Sequence, residues 1–96
     1  MATEGRNLSE YNKEVIPSGA DFKIGIVVSE WNEAITSSLM NGAIDTFKEN
    51  GVTEKNMSIA SVPGAFELPM GAQTLLESQK LDGVITIGTV IQGETK

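Results

Sequence analysis

The chain has 96 residues, of which 13 are acidic and 7 basic, for a net charge of −6, and it holds neither cysteine nor histidine. That length suits one small domain, and the acidic balance with no basic cluster argues against a nucleic-acid binder. Without cysteine there is no disulfide framework or thiolate metal site, and without histidine the usual general base and the commonest metal ligand are missing.

Residues 1–20 carry few apolar side chains and read as an N-terminal arm, either disordered or laid across a neighbouring subunit. Val15-Ile16 is expected to form a short strand ahead of Pro17-Ser18-Gly19. The first residues are polar and form no secretory signal, and no apolar run reaches membrane-spanning length. The expected setting is the cytoplasm.

A single α/β domain is expected over residues 21–96. Phe22-Lys23-Ile24-Gly25-Ile26-Val27-Val28 is nearly continuous apolar sequence and predicts a strand buried on both faces. From Asn32 the period changes. Ile35, Leu39, Ala43 and Phe47 recur every four residues, widened by Met40 and Ile44, and predict an amphipathic helix. Asn32 suits its N-cap, Glu33 its first turn and Gly51 its left-handed C-terminal position.

A second strand is expected from Asn56 to Ser61, followed by the rigid corner Ser61-Val-Pro-Gly-Ala-Phe-Glu-Leu-Pro69. Pro63-Gly64 is turn chemistry, and Pro69 fits the first turn of a second helix starting near Glu67. Leu68, Ala72, Leu75 and Leu76 are its expected buried face, with Lys80 and Asp82-Gly83 closing it. Val84 to Ile91 predicts a third strand, apolar on both faces, before the polar loop Gln92-Gly93-Glu94-Thr95-Lys96. The methionines at 40, 57 and 70 fall on patterned core positions.

The order β-α-β-α-β with strands apolar on both faces implies a parallel sheet. Ligands of such sheets bind outside the carboxyl ends of the strands. Three segments share that edge: Ser29 to Asn32, Val62 to Glu67, and Gly88 to Thr95. Trp31 either stacks on a flat heterocycle or plugs the sheet edge. Asn32 either bonds a ligand or serves as an N-cap. Ala65 and Phe66 either present a backbone and a ring to a planar ligand or form a tight turn over the core. Glu67 either accepts hydrogen bonds from a ligand or is a solvated first-turn carboxylate. Gly93-Glu94-Thr95 offers backbone N–H groups and a hydroxyl to an anion, a weak signal by itself.

Trp31-Asn32-Glu33, Val62-Pro63-Gly64-Ala65-Phe66-Glu67-Leu68-Pro69 and Gly88-Thr89-Val90-Ile91-Gln92-Gly93-Glu94-Thr95, in this order and spacing, resemble the lumazine synthases. The resemblance runs from about residue 14 to residue 96. It implies a flavodoxin-like, three-layer α/β/α domain with a parallel sheet and a cofactor-free enzyme of riboflavin biosynthesis. Its reaction condenses 5-amino-6-ribitylaminouracil with 3,4-dihydroxy-2-butanone 4-phosphate to 6,7-dimethyl-8-ribityllumazine. By the same resemblance, Trp31 stacks on the pyrimidine. Asn32, Ala65, Phe66 and Glu67 contact the pyrimidine and ribityl chain, Val90 and Ile91 read the pyrimidine edge, and Glu94 and Thr95 form the phosphate-side loop. It further implies a homopentamer, sometimes packed into an icosahedral shell of sixty copies, with small molecules as its ligands.

The family's acid/base histidine would follow Lys96, so no catalytic residue is assigned within the chain. Loss of a positioned acid/base costs ~10²–10⁴-fold in rate. The 96 residues alone are therefore expected to be nearly inactive. The alternatives are a flavin- or lumazine-binding module without turnover, and a structural assembly unit.

Overall fold

A computed structural model describes residues 10–92. Three parallel strands, β1 (Ile24–Ser29), β2 (Met57–Val62) and β3 (Gly83–Ile87), form one sheet in the order β2-β1-β3. Helix α1 (Glu33–Glu49) joins β1 to β2, and α2 (Leu68–Ser78) joins β2 to β3. Short 3-10 turns occupy Lys13–Val15, Glu54–Asn56 and Ala65–Glu67. Among the described residues no helix is long and apolar enough to cross a membrane.

The first connection runs to one side of β1 and the second passes back to the other. Parallel crossovers keep one hand, so reversing direction puts their helices on opposite faces. Met40, Ala43, Ile44 and Phe47 of α1 pack on Ile26, Val28 and Ile87. On the other face, a Cβ at Gly71 of α2 would meet Val27 Cγ1 at 2.7 Å, and one at Gly25 would meet Leu75 Cδ1 at 3.2 Å. The result is the expected open, three-layer α/β architecture. Central β1 is buried on both sides, as its unbroken apolar sequence requires.

Several expectations are corrected. The buried stripe of α1 is rotated: Ile35 and Leu39 are exposed, while Thr36 is buried. Thr36 tolerates burial because its hydroxyl reaches back to the Asn32 and Glu33 carbonyls, at 3.5 and 3.4 Å. Asn32 occupies the N-cap position, and its carbonyl accepts the Ile35 and Thr36 N–H groups. Its side chain makes no cap bond, because the backbone is left-handed there, at φ 58° and ψ 53°.

The C-terminus of α1 follows the reading. Gly51, at φ 99°, lets its N–H donate to Lys48 O at 3.1 Å and the Val52 N–H donate to Phe47 O at 3.0 Å. Those two bonds close a Schellman motif, and Val52 is buried over it.

Strand β2 starts and ends one residue later than expected. Helix α2 does carry Pro69 in its first turn. It stops at Ser78, leaves Leu76 and Met70 exposed, and gives Gly83 to the start of β3. Strand β3 ends at Ile87 rather than Ile91, and it exposes Ile85 and Thr86 because within this sheet it is an edge. Beyond Ser29 the backbone keeps bonding to Val62 and Pro63 on the β2 side, while its pairing with β3 ends at Val28–Ile87.

Val15-Ile16 forms no strand. The Asn12 side chain accepts the Glu14 N–H and its carbonyl accepts the Val15 N–H, both at 3.1 Å, and this local turn outcompetes extension. The segment from Tyr11 to Gly19 is held to the end of α1. The Tyr11 hydroxyl donates to Glu49 Oε2 at 3.0 Å and accepts from Asn50 Nδ2 at 3.2 Å, while the Gly19 N–H donates to Asn50 O at 2.6 Å.

Candidate functional site

The carboxyl ends of β1 and β3 flank the point where the chain reverses its winding direction, the place where open α/β sheets bind ligands. Two of the three edge segments are locked together. The Glu30 N–H donates to Val62 O at 2.8 Å and the Trp31 N–H to Pro63 O at 3.1 Å, continuing the β1–β2 ladder past both strands. The Ser61 hydroxyl adds a bond to Glu30 Oε2 at 3.0 Å.

The third segment joins through Gly88. A Cβ there would lie 2.6 Å from Leu68 Cδ1, 3.4 Å from Ser29 Oγ and 3.5 Å from Ala65 Cβ. A side chain at this position would push the Leu68 side chain aside, so glycine lets the chain leaving β3 lie against the corner without displacing it.

The corner itself is self-supporting. The Gly64 N–H donates to Glu67 Oε1 at 2.8 Å, and the Glu67 N–H donates back to Gly64 O at 3.2 Å. Glu67 therefore braces the turn with one carboxylate oxygen. Between this corner and the exit of β3 lies a cavity of about 600 Å³ lined by Gly64, Ala65, Phe66, Glu67 and Val90. Phe66 is 97% exposed and Val90 87%, so their apolar faces are free for a ligand rather than spent on the core. The core alternative for Phe66 is thereby corrected: the 3-10 turn Ala65–Glu67 turns the ring outward.

The structure thus gathers Ala65, Phe66, Glu67 and Val90 around one space. Trp31, 53% exposed, is tied to the same corner through its bond to Pro63, and neither it nor the neighbouring Asn32 lines that cavity. Ile91 is exposed beyond β3. Glu94 and Thr95 lie outside the described residues.

A second cavity, about 290 Å³, opens on the α1 side of the same edge, among Ser29, Glu30, Glu33, Thr36, Ser37 and Ser61. Three buried polar atoms at this edge have no partner among the described residues: Ser29 Oγ, Asn32 Nδ2 and Thr89 Oγ1. An unmatched buried polar group costs about 1–3 kcal/mol, so three at one edge single it out. Thr36 and Thr89 escaped the sequence reading. The available signal was polar residues embedded in otherwise apolar patterned runs.

The model of the 6,7-dimethyl-8-ribityllumazine synthase family matches residues 21–96. Curated relatives of that name include the protein of Christiangramia forsetii, 54% identical over all of this chain and 58% of its own length. That of Flavobacterium johnsoniae is 53% identical over all of this chain and 50% of its own length. That of Porphyromonas gingivalis is 50% identical over 99% of this chain and 59% of its own length. The chain spans roughly half to three-fifths of the relatives it matches. Three motif loops converging on the switch point of a parallel sheet, together with these matches, place the chain in the 6,7-dimethyl-8-ribityllumazine synthase family.

Proposed function

We propose that the protein works in riboflavin biosynthesis, condensing 5-amino-6-ribitylaminouracil with 3,4-dihydroxy-2-butanone 4-phosphate to 6,7-dimethyl-8-ribityllumazine, phosphate and water, without a cofactor. The observation that carries this reading is the cavity bounded by Phe66, Glu67 and Val90, where the second and third motif loops meet at the sheet edge. Its free aromatic and aliphatic faces suit a planar heterocycle, and the Glu67 carboxylate at its rim suits the donors of a ribityl chain.

In this reading Trp31 stacks on the pyrimidine and Asn32 donates its buried, unpartnered Nδ2 to it. Ala65, Phe66, Val90 and Ile91 shape the pyrimidine pocket. Glu94 and Thr95 take the phosphate side. These residues act by orientation: holding two reactants in an attack geometry supplies much of the rate in a condensation of this kind. They supply no histidine, and the acid/base is assigned to the rest of the family domain.

The protein is further proposed to be cytoplasmic and a homopentamer, alone or packed in an icosahedral shell. The exposed Ile35 and Leu39 of α1 and Ile59 of β2 supply apolar surface for such contacts.

The test is turnover of the two substrates by the full-length protein, followed as the lumazine chromophore, beside calorimetric titration with the pyrimidine substrate. Turnover that falls on Phe66→Ala, with weaker pyrimidine binding, supports the reading. Binding without turnover would leave a carrier module, and neither binding nor turnover would leave an assembly unit.

A further inference from the structure

Two Asn-Gly pairs occur, Asn41-Gly42 inside α1 and Asn50-Gly51 at its end. This dipeptide is chemically fragile, because glycine has no side chain to shield its backbone nitrogen from the preceding carboxamide. The Gly51 nitrogen can attack Asn50 Cγ. A new N–Cγ bond forms, the Cγ–Nδ2 bond breaks, the proton lost from the Gly51 nitrogen is balanced by one gained on Nδ2, and ammonia leaves. Water then opens the cyclic imide at one carbonyl or the other, giving aspartate or isoaspartate.

The fold blocks each requirement of this reaction. The Gly51 N–H donates to Lys48 O at 3.1 Å. The Asn50 amide is turned back along the helix, donating to Thr46 O at 2.9 Å and to the Tyr11 hydroxyl at 3.2 Å. The Tyr11 hydroxyl is in turn anchored on Glu49 Oε2 at 3.0 Å.

Asn50 is also the node that holds the N-terminal segment. Its side chain takes Tyr11, its carbonyl takes the Gly19 N–H, and a Cβ on Gly51 would lie 3.0 Å from Ser18 Oγ. We propose that Asn50-Gly51 is a latent deamidation site held shut by the Tyr11 clasp, and that its conversion releases residues 10–20 from α1. Conversion removes the donor to Thr46 O and Tyr11. It also sets a new negative charge beside Glu49, where the carbonyls of the helix end already repel anions. Isoaspartate adds a backbone methylene and breaks the spacing on which the Schellman motif depends.

The experiment ages the full-length protein in mildly alkaline buffer and maps Asn50 and Asn41 by peptide mass spectrometry. Native wild type, native Tyr11→Phe and urea-unfolded wild type are compared. Asn50 should convert at least about tenfold faster unfolded than native, because native conversion waits on local opening. Tyr11→Phe should accelerate native conversion about 2- to 10-fold, the span one net hydrogen bond carries. Native Asn41, held inside α1, should be indifferent to Tyr11. Equal native and unfolded rates at Asn50, or a Tyr11→Phe rate equal to wild type, would overturn the clasp. A second measurement needs no variant: hydrogen exchange on the separated, converted protein should show lost protection at the Gly19 and Val52 amides. Protection retained at both would overturn the release.

Discussion

Gly42 and Gly71 both sit in helices and differ in what surrounds them, so replacing each by alanine isolates one physical quantity. At Gly42 a new Cβ meets nothing within 4 Å among the described residues. Alanine there should stabilise by about 0.5–1 kcal/mol, from helix propensity and reduced freedom of the unfolded chain. At Gly71 the same methyl would lie 2.7 Å from Val27 Cγ1 and 3.0 Å from Val62 Cγ1. Both neighbours are β-branched and stiff, and Val27 is completely buried in the central strand. Neither can swing away, so α2 must lift off the sheet, and such overpacking costs about 1–3 kcal/mol. The propensity gain has the same sign at both sites. The stability difference between Gly42→Ala and Gly71→Ala should therefore be close to that steric cost alone. Urea denaturation of the two variants should separate them by at least ~1 kcal/mol, or a midpoint difference of about 4–8 °C on heating a domain this size. Stabilities equal within ~0.5 kcal/mol would refute the close packing of α2 on β1.

Three further outcomes follow from the site and its surroundings. Asn32→Gly should leave stability unchanged or raise it by up to about 1 kcal/mol, since it relieves the left-handed backbone at φ 58°, yet it should weaken pyrimidine binding in calorimetry. Glu67→Gln should keep the Gly64 corner, because the amide oxygen still accepts its N–H; Glu67→Ala should lose it, with hydrogen exchange at Gly64 rising only in the alanine variant. The exposed pair Lys48–Glu54 (2.6 Å) holds the Glu54 carboxyl below its ordinary 4.5 and the Lys48 ammonium above its ordinary 10.5, first through their hydrogen bond and then through their charges. Its coupling, read from a double-mutant cycle with Lys48→Met and Glu54→Gln, should be level between those values. It should vanish as pH falls through the folded-state Glu54 pKa or rises through that of Lys48, and shrink in salt.

Most of strand β1 was legible because a strand buried on both faces needs no phase, every residue from Ile24 to Val28 being apolar or glycine; but Phe22 and Lys23, expected within it, precede it, and Phe22 is exposed. Helix α1 was legible as a helix but not in its orientation. It carries two apolar stripes a residue apart, and the left-handed entry at Asn32 turns Thr36 and Met40 toward the sheet in place of Ile35 and Leu39. No sequence periodicity reports that entry angle. The Gly51 terminus was readable because its signal is local. The end of β3 was not, because it depends on where β3's pairing with β1 stops, a partner remote in sequence. At the sheet edge, Phe66, Glu67 and Val90 line one space, while Trp31, Asn32 and Ile91 do not line it. The unpartnered Ser29 and Thr89 hydroxyls were not singled out, because it is their burial without a partner, which only the fold fixes, that makes them notable.

The strand order β2-β1-β3 also sets a schedule for the growing chain. Strand β1 can pair with β2 as soon as β2 is made, but its other edge waits for residues 83–87, which pair with residues 24–28. At ~5–20 residues per second of synthesis, that edge stays open on the order of seconds. During that interval the most apolar of the three described strands, Ile24–Ser29, offers an unpaired row of backbone groups to any neighbouring chain. Residues 83–87 are thus the step at which the central strand's second edge is covered, and slowing synthesis just before them lengthens the time that edge stays open.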